Sequence, residues 1–340
     1  MKRNERLAET LRKRQLYLLR HQVSVRNELD RFLSLLDKAI ATSIITIAPS
    51  EPARQIYRQQ RLDKMIEEVA ALITATYSEM RSYHRREMQQ LAEVEAAYLV
   101  GAANDLFESS LVTIALPAAA ALELVDTALI SGAPMKEWWA EQSASMRQKF
   151  AQQMRVGFIG GESDADLVKR IRGTRELQYA DGLMSISRRM ARILVRGAGS
   201  SVVGATRRKA VADNPDVFKG LQQISVLDGR TSHTCISYAG KVWSLPGYKP
   251  VGHSLPYNGG TPRHPNCRST EIPVIVESLG GAPADDVDFE TFLKGKSVQD
   301  VDSLLGKGRA ELYRTKQITL SELVDQNGRP LTLEQLRNIR

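Results

Sequence analysis

Apolar residues return at helical intervals along the first 46 positions. Leu11, Leu18, Val25 and Phe32 stand seven apart, and Leu29 and Leu36 follow four after the last two. This pattern predicts one amphipathic helix over residues 1–46, with a stripe for a partner helix. Pro49-Ser50-Glu51-Pro52 interrupts it, with Ser50 or Glu51 placed to open a second helix and a proline in its first turn. Helical periodicity then runs to about Ser109 through Val69, Leu72, Ile73, Tyr77, Met80, Leu91 and Tyr98. Two such helices across a short breaker predict an antiparallel hairpin. Leu111–Ile130 is the most apolar stretch, yet Pro117, Glu123 and Asp126 interrupt it. A buried core helix starting near Pro117 explains it better than a bilayer span. Met135–Gly157 is again helical, with Trp138 and Trp139 as packing anchors. Ser163 then caps a helix that has Asp164 and Asp166 in its first turn and ends near Gly173. Ser185–Ala210 is a further helix, with Met190, Ile193, Leu194 and Val202–Val203 on its apolar face.

Beyond residue 222 the period shortens. Gln223–Leu227, Lys241–Leu245 and Glu271–Val276 read as strands, separated by a turn-rich stretch and by a Pro/Gly-rich loop from Pro246 to Pro262. Both cysteines, Cys235 and Cys267, fall in this region, as do His233, His253 and His264, three of the five histidines. A small β-unit whose ends meet would place Cys235 beside His264 and Cys267. An acidic linker, Gly280–Asp288, leads to a tail of short helices: Phe289–Lys294, Val298–Leu305, Gly308–Tyr313, Leu320–Val324 and Thr332–Ile339. The expected fold class is mainly α with a small β-containing module (α+β). Four consecutive segments are expected: a long-helix hairpin (1–110), a helical middle (111–221), the β-module (222–278) and a helical tail (279–340).

Composition narrows the function. A net charge of +8 and a pI near 9.4 favour an acidic partner, nucleic acid being the commonest. The charge concentrates on one predicted helix, where Arg188, Arg189, Arg192, Arg196, Arg207, Arg208 and Lys209 occur with no acid between them. Such a run is either a solvated face or a phosphate-contacting one. Two cysteines in 340 residues exclude a disulfide framework, and the basic N-terminus has no apolar core behind it to make a signal peptide.

The Cys/His cluster admits three chemistries. Cys235, His264 and Cys267 could ligate zinc, with His233 or Asp228 as the fourth ligand. They could instead be two buried thiols beside a histidine that bonds backbone. A nucleophile–base pair oriented by Asp228 is the third option. Neither cysteine has an oxyanion-type glycine arrangement beside it, and the chain has no P-loop, dinucleotide fingerprint or His-Glu-x-x-His. A non-enzymatic role is therefore expected, with Asp228 and Arg230 as a turn-fixing pair.

Asp228, Arg230, Thr231, Cys235, then Gly240-Lys241-Val242-Trp243, then Pro262, His264-Pro265-Asn266-Cys267-Arg268 form a dense pattern over about forty residues. It resembles the signature of the Mu F-like minor head (head-morphogenesis) proteins of tailed bacteriophages. Leu305-Gly306 to Leu312 and Leu323 to Leu336 are similar to the ending many of these proteins carry. Gly157 to Ile171, ahead of the signature, is similar as well. The chain departs from relatives at Ser232 and Ser269, where many have cysteine, and at Val195-Arg196-Gly197-Ala198, where many have Ala-Arg-Thr-Glu. The resemblance implies a virion protein present in few copies, assembled in the bacterial cytoplasm and associated with the portal vertex or the capsid interior, bound to the portal or other capsid proteins. It further implies non-specific contact with packaged double-stranded DNA; no membrane partner is expected, given the interrupted apolar stretch. Two alternatives from other classes are a phage-borne Cys/His hydrolase or transferase, and a capsid adaptor without DNA contact.

Overall fold

The computed structural model describes residues 2–47, 55–284 and 288–339. The expected breaker at 49–52 and part of the acidic linker, 285–287, lie outside these residues. The described chain is mainly helical with two small antiparallel sheets. In order it runs α1 (Arg3–Ile47), α2 (Gln55–Phe107), α3 (Ala118–Thr127), β1 (Leu129–Ile130), β2 (Ala133–Pro134), α4 (Met135–Ile159), α5 (Asp164–Arg172) and α6 (Leu183–Asp213). Then follow β3 (Phe218–Ile224), α7 (His233–Tyr238), β4 (Val242–Ser244), β5 (Lys249–Val251) and β6 (Thr270–Ile275). The tail holds α8 (Phe289–Leu293), α9 (Val298–Leu305), α10 (Lys307–Arg314) and α11 (Leu333–Arg337). Among the described residues no helix is long and apolar enough to cross a membrane, and the apolar stretch after Leu111 becomes the short α3 behind Pro117.

The long helices correct the seven-residue reading. On α1 the buried positions include Leu7, Leu11, Arg14, Leu18, Gln22, Val25, Leu29, Leu33, Leu36, Ile40 and Ile44, whereas Phe32 is only half-buried. These repeat every eleven residues: 7, 18, 29, 40, then 11, 22, 33, 44. On α2, Leu62, Ile73, His84, Glu95 and Leu106 share the same interval, as do Ile66, Tyr77, Met88 and Leu99. Eleven residues in three turns is 3.67 per turn, close to the natural helical period, so the stripe stays inward without the left-handed supercoil that a heptad imposes. Tyr98 Oη donates to Thr10 O at 3.4 Å while Arg14 Nε meets Glu95 at 3.1 Å, so the two helices run antiparallel as expected.

The chain packs into two compact units, each drawn from separated stretches, which cuts across the four consecutive segments expected. The helical unit comprises Leu19–Met88 and Gly132–Arg196. Its core is Val25, Leu29, Leu33 and Ile40 from α1, Ile66, Val69, Ile73 and Met80 from α2, Trp139, Met146 and Phe150 from α4, Leu167 and Ile171 from α5, and Met184 and Leu194 from α6. Ser163 caps α5 as expected, accepting from Asp166 N at 3.3 Å.

The sheet unit comprises 1–18, 89–131 and 197–340. The four-stranded sheet in it has the order β5-β4-β3-β6, all antiparallel. β3 starts five residues earlier than expected, at Phe218, and β5 inside the Pro/Gly-rich loop was not expected. β3 and β6 are buried along almost their whole length, because helices cover the sheet that their sequences leave only partly apolar. At the outer edge of β6, Asn4 donates to Pro273 O at 3.1 Å and accepts from Ile275 N at 3.2 Å. Its side-chain amide thus stands in for a further strand and closes an edge that would otherwise template pairing. The tail helices build their own apolar cluster from Phe289, Leu305, Leu312, Leu320 and Leu336, and Ile236 and Ala239 of and just after α7 enter it.

Candidate functional site

The cluster residues of the signature converge on α7. The expected turn after Asp228 leads into this six-residue helix, because Ser232 caps it: the Ser232 hydroxyl accepts from Cys235 N at 3.2 Å. That places Cys235 on the first turn, facing the segment that leads into β6. There Asn266 adopts a left-handed conformation (φ 63°), and Cys267 N donates to His264 O at 3.1 Å, folding His264–Cys267 into a tight turn. The Cys235 and Cys267 sulfurs lie 3.6 Å apart, unbonded, and His264 Nε2 lies 3.2 Å from Cys235 Sγ. One ligand atom from each of Cys235, His264 and Cys267 falls within 4.8 Å of the others. The convergence expected from the strand order is therefore present.

The histidine is oriented for this cluster. Its Nδ1 donates to Pro265 O at 2.8 Å, which leaves Nε2, the atom facing the sulfurs, free to carry a lone pair. A carbonyl behind a histidine in this way is the usual support of a metal-bound imidazole. Among themselves the three groups share protons. The Cys235 thiol is held well above its ordinary value, chiefly because it donates to Cys267 and then because it is buried. Cys267 is held well below, because it accepts that bond and faces His264. His264 is raised, first by its bond to Cys267.

The three donors fit a metal ion. Two sulfurs about 2.3 Å from a tetrahedral ion would stand about 3.8 Å apart, against 3.6 Å observed, and two thiolates with one imidazole nitrogen suit zinc. The fourth position differs from expectation. His233 turns to the tail, where its Nε2 reaches Leu305 O at 3.3 Å, and burial lowers its pKa. Asp228 is committed elsewhere, as its pairing with Arg268 makes plain. The Ser232 hydroxyl stands beside the cluster, 2.8 Å from His264 Nε2. Among the described residues no fourth His, Cys, Asp or Glu joins the cluster.

Asp228 does fix the turn, accepting from Arg230 N at 2.9 Å and from the Thr231 hydroxyl at 3.2 Å. Its guanidinium partner is Arg268, not Arg230. Arg268 grips both carboxylate oxygens at 2.8 and 2.5 Å, whereas the Arg230 side chain is 86% exposed and 3.9 Å away. Arg268 holds the Asp228 carboxyl far below its usual range. The bidentate pair binds the turn ahead of α7 to the strand after Cys267, directly beside the cluster. Gly240 completes the lock: its φ is +78°, and a Cβ there would lie 2.8 Å from Asp288 Cβ. His253 serves the loop, facing Val242 O at 2.8 Å and accepting from Leu255 N at 3.1 Å.

Sequence reasoning missed three supports. Ser225 bridges Cys235 O at 3.0 Å and Ser269 Oγ at 2.9 Å. The Ser237 hydroxyl lies 2.8 Å from Leu320 O and ties α7 to the tail. Arg263 lies over the Tyr238 ring at 3.6 Å and donates to Tyr257 O at 2.9 Å. An arginine shortly after a Gly-Gly pair carries no local signal that it stacks under a sheet.

The basic helix divides. Arg207 is fully buried, donating to Glu95 at 3.0 and 2.6 Å, to Thr270 Oγ1 at 2.7 Å and to Glu271 O at 2.8 Å. Arg14 completes a buried triad on Glu95 at 3.1 Å. Arg208 pairs with the buried Glu271 at 3.0 Å, and Lys209 with Asp213 at 3.0 Å. The phosphate-contact expectation is thus corrected for Arg207 and weakened for Arg208 and Lys209. The acids that neutralise the first two arrive from α2 and β6, 112 and 63 residues away. Arg188 is half-buried and donates to Ser34 Oγ at 3.0 Å, and Arg196 is half-buried and engaged. Only Arg189 and Arg192 of this run remain exposed without an ion pair among the described residues. Searches against protein-family models, curated proteins and solved structures each find no match for this chain.

Proposed function

We propose that this chain is a minor head protein of a tailed bacteriophage, a structural component that joins the portal or other capsid proteins and contacts packaged DNA. One observation carries the reading. The residues that make up the signature resemblance are the ones that lock the sheet unit: Cys235, His264 and Cys267 as one cluster, Asp228 with Arg268 beside it, and Gly240 against Asp288. A dense pattern most of whose elements serve closure fits an assembly protein better than a catalyst.

The thiols support the same reading over the hydrolase or transferase. Both cysteines are only 2% exposed, so neither sulfur presents itself to a substrate. We assign the cluster instead as a structural zinc site with Cys235, His264 and Cys267 as ligands and Ser232 beside the cluster. Zinc there would hold α7 to the turn before β6, and its binding free energy would become folding free energy.

Two measurements test the reading. Proteomics of purified particles should find the chain at a copy number far below the shell protein; its absence from particles removes the head assignment. Elemental analysis should find about one zinc per chain, abolished in Cys267→Ser and His264→Ala, with the sheet unit destabilised by a few kcal/mol. Metal-free protein of undiminished stability in a chelator removes the zinc assignment alone.

A further inference from the structure

The net charge is not spread over the molecule. The helical unit carries 23 Lys and Arg against 16 Asp and Glu, and the sheet unit 24 against 23, so seven of the eight net positive charges belong to the helical unit. Within the sheet unit many cations are internally committed, as Arg14, Arg207, Arg208 and Arg268 illustrate. Within the helical unit, exposed cations without an ion pair gather where α4 faces the first turns of α6. A groove of about 340 Å³ between these helices is lined by Lys149 and Arg189, with the half-buried Trp138 and the acid Glu141. Arg192 stands three residues beyond Arg189 on α6, and like charges at that spacing repel unless an anion lies over them. The neighbouring hollow, about 650 Å³, also reaches Lys149, but its other cations are paired, Lys169 with Asp166 and Arg170 with Glu162.

We propose that the α4–α6 face of the helical unit, centred on Lys149, Arg189 and Arg192, is the DNA-contacting surface, and that the sheet unit carrying the signature makes no DNA contact. This rests on the head-protein reading for the identity of the polyanion. Isolated cations spread over two helices neutralise backbone phosphates rather than pattern base edges, so the contact is indifferent to sequence.

The test uses the full chain and a mixed-sequence duplex of about 30 base pairs, with binding followed by fluorescence anisotropy across a salt series. Each cation withdrawn from a phosphate should flatten the slope of log affinity against log salt by about 0.9, so Lys149→Gln/Arg189→Gln/Arg192→Gln should flatten it by about 2.7. Lys249→Gln/Lys307→Gln/Lys316→Gln, all exposed in the sheet unit, should leave the slope unchanged. All six positions are exposed, and circular dichroism melts check that both variants fold. Equal flattening by the two triples, or none by the first, overturns the assignment. No duplex binding at any salt overturns it as well, while the presence of the chain in particles is a separate result that decides the head reading. Binding of phosphatidylglycerol vesicles through the same three residues, without duplex binding, makes the face a membrane contact and overturns the proposal.

Discussion

The two units bury polar groups by opposite strategies. The sheet unit pairs its buried carboxylates with cations over long sequence distances: Glu95 between Arg14 and Arg207, and Glu271 against Arg208. The helical unit keeps its fully buried histidine neutral. His84, fully buried on the α2 stripe, accepts from Trp139 Nε1 at 3.2 Å, and burial drives its pKa down to about 3. Buried pairing takes up Arg14, Arg207 and Arg208 in the sheet unit, whereas Lys149, Arg189 and Arg192 of the helical unit stay exposed without an ion pair among the described residues. The units should therefore fail under different insults.

The largest expected effect lies in the sheet unit. Glu95→Ala strands two buried guanidinium groups, and removing one partner of a buried ionic network costs about 3–5 kcal/mol. Denaturant melts followed by Trp243 fluorescence should report that destabilisation. A triple replacement of Glu95, Arg14 and Arg207 by apolar residues of similar volume should recover most of it. If Glu95→Ala is neutral, the triad does not organise this unit.

Next comes acid sensitivity, to which His84 of the helical unit should make the largest single contribution. His84 takes up its proton near 6.5 when unfolded but only near 3 when folded, so the unfolded chain binds more protons between those values. Its contribution is fully present above about pH 6.5 and is lost as pH falls, by roughly 2 kcal/mol at pH 5. Melts with Trp243 replaced, so that Trp138 and Trp139 report, should show this slope, and His84→Leu should flatten it. A slope unchanged by that substitution would place the acid sensitivity elsewhere.

A smaller effect concerns the closed sheet edge. Asn4→Ala leaves Pro273 O and Ile275 N without their partner at a buried strand, at a cost of about 1–2 kcal/mol, and should raise aggregation under mild denaturant. Light scattering alongside a melt separates the two consequences. Smallest is Asp228→Asn. The pair is a third exposed on the carboxylate side, so solvent screening leaves about 1 kcal/mol or less. The Asp228 carboxyl is depressed, so the pair persists above the ordinary carboxylate range and weakens only as pH falls well below it. Melts across a pH series should therefore show Asp228→Asn mattering at neutral pH and making no difference in strong acid.

What the chain alone determined is local or compositional. Helices α1, α2 and α4–α6 and the tail segments were legible because propensity, caps and apolar spacing act within a few turns. The meeting of Cys235, His264 and Cys267 was legible too, because three strands in one small sheet leave few ways to place the loops between them. The eleven-residue stripe was not, since Arg14, Gln22, His84 and Glu95 occupy it and hydropathy reads them as surface. Nor could seven cations on one helix be sorted into buried and free. That sorting depended on Glu95 and Glu271, which lie far along the chain and reach Arg207 and Arg208 only in the fold. The same holds for Arg268 displacing Arg230 as the partner of Asp228 and for Ser232 starting α7. A carboxylate pairs with whichever cation the packing brings within about 3 Å, and only tertiary structure decides which one that is.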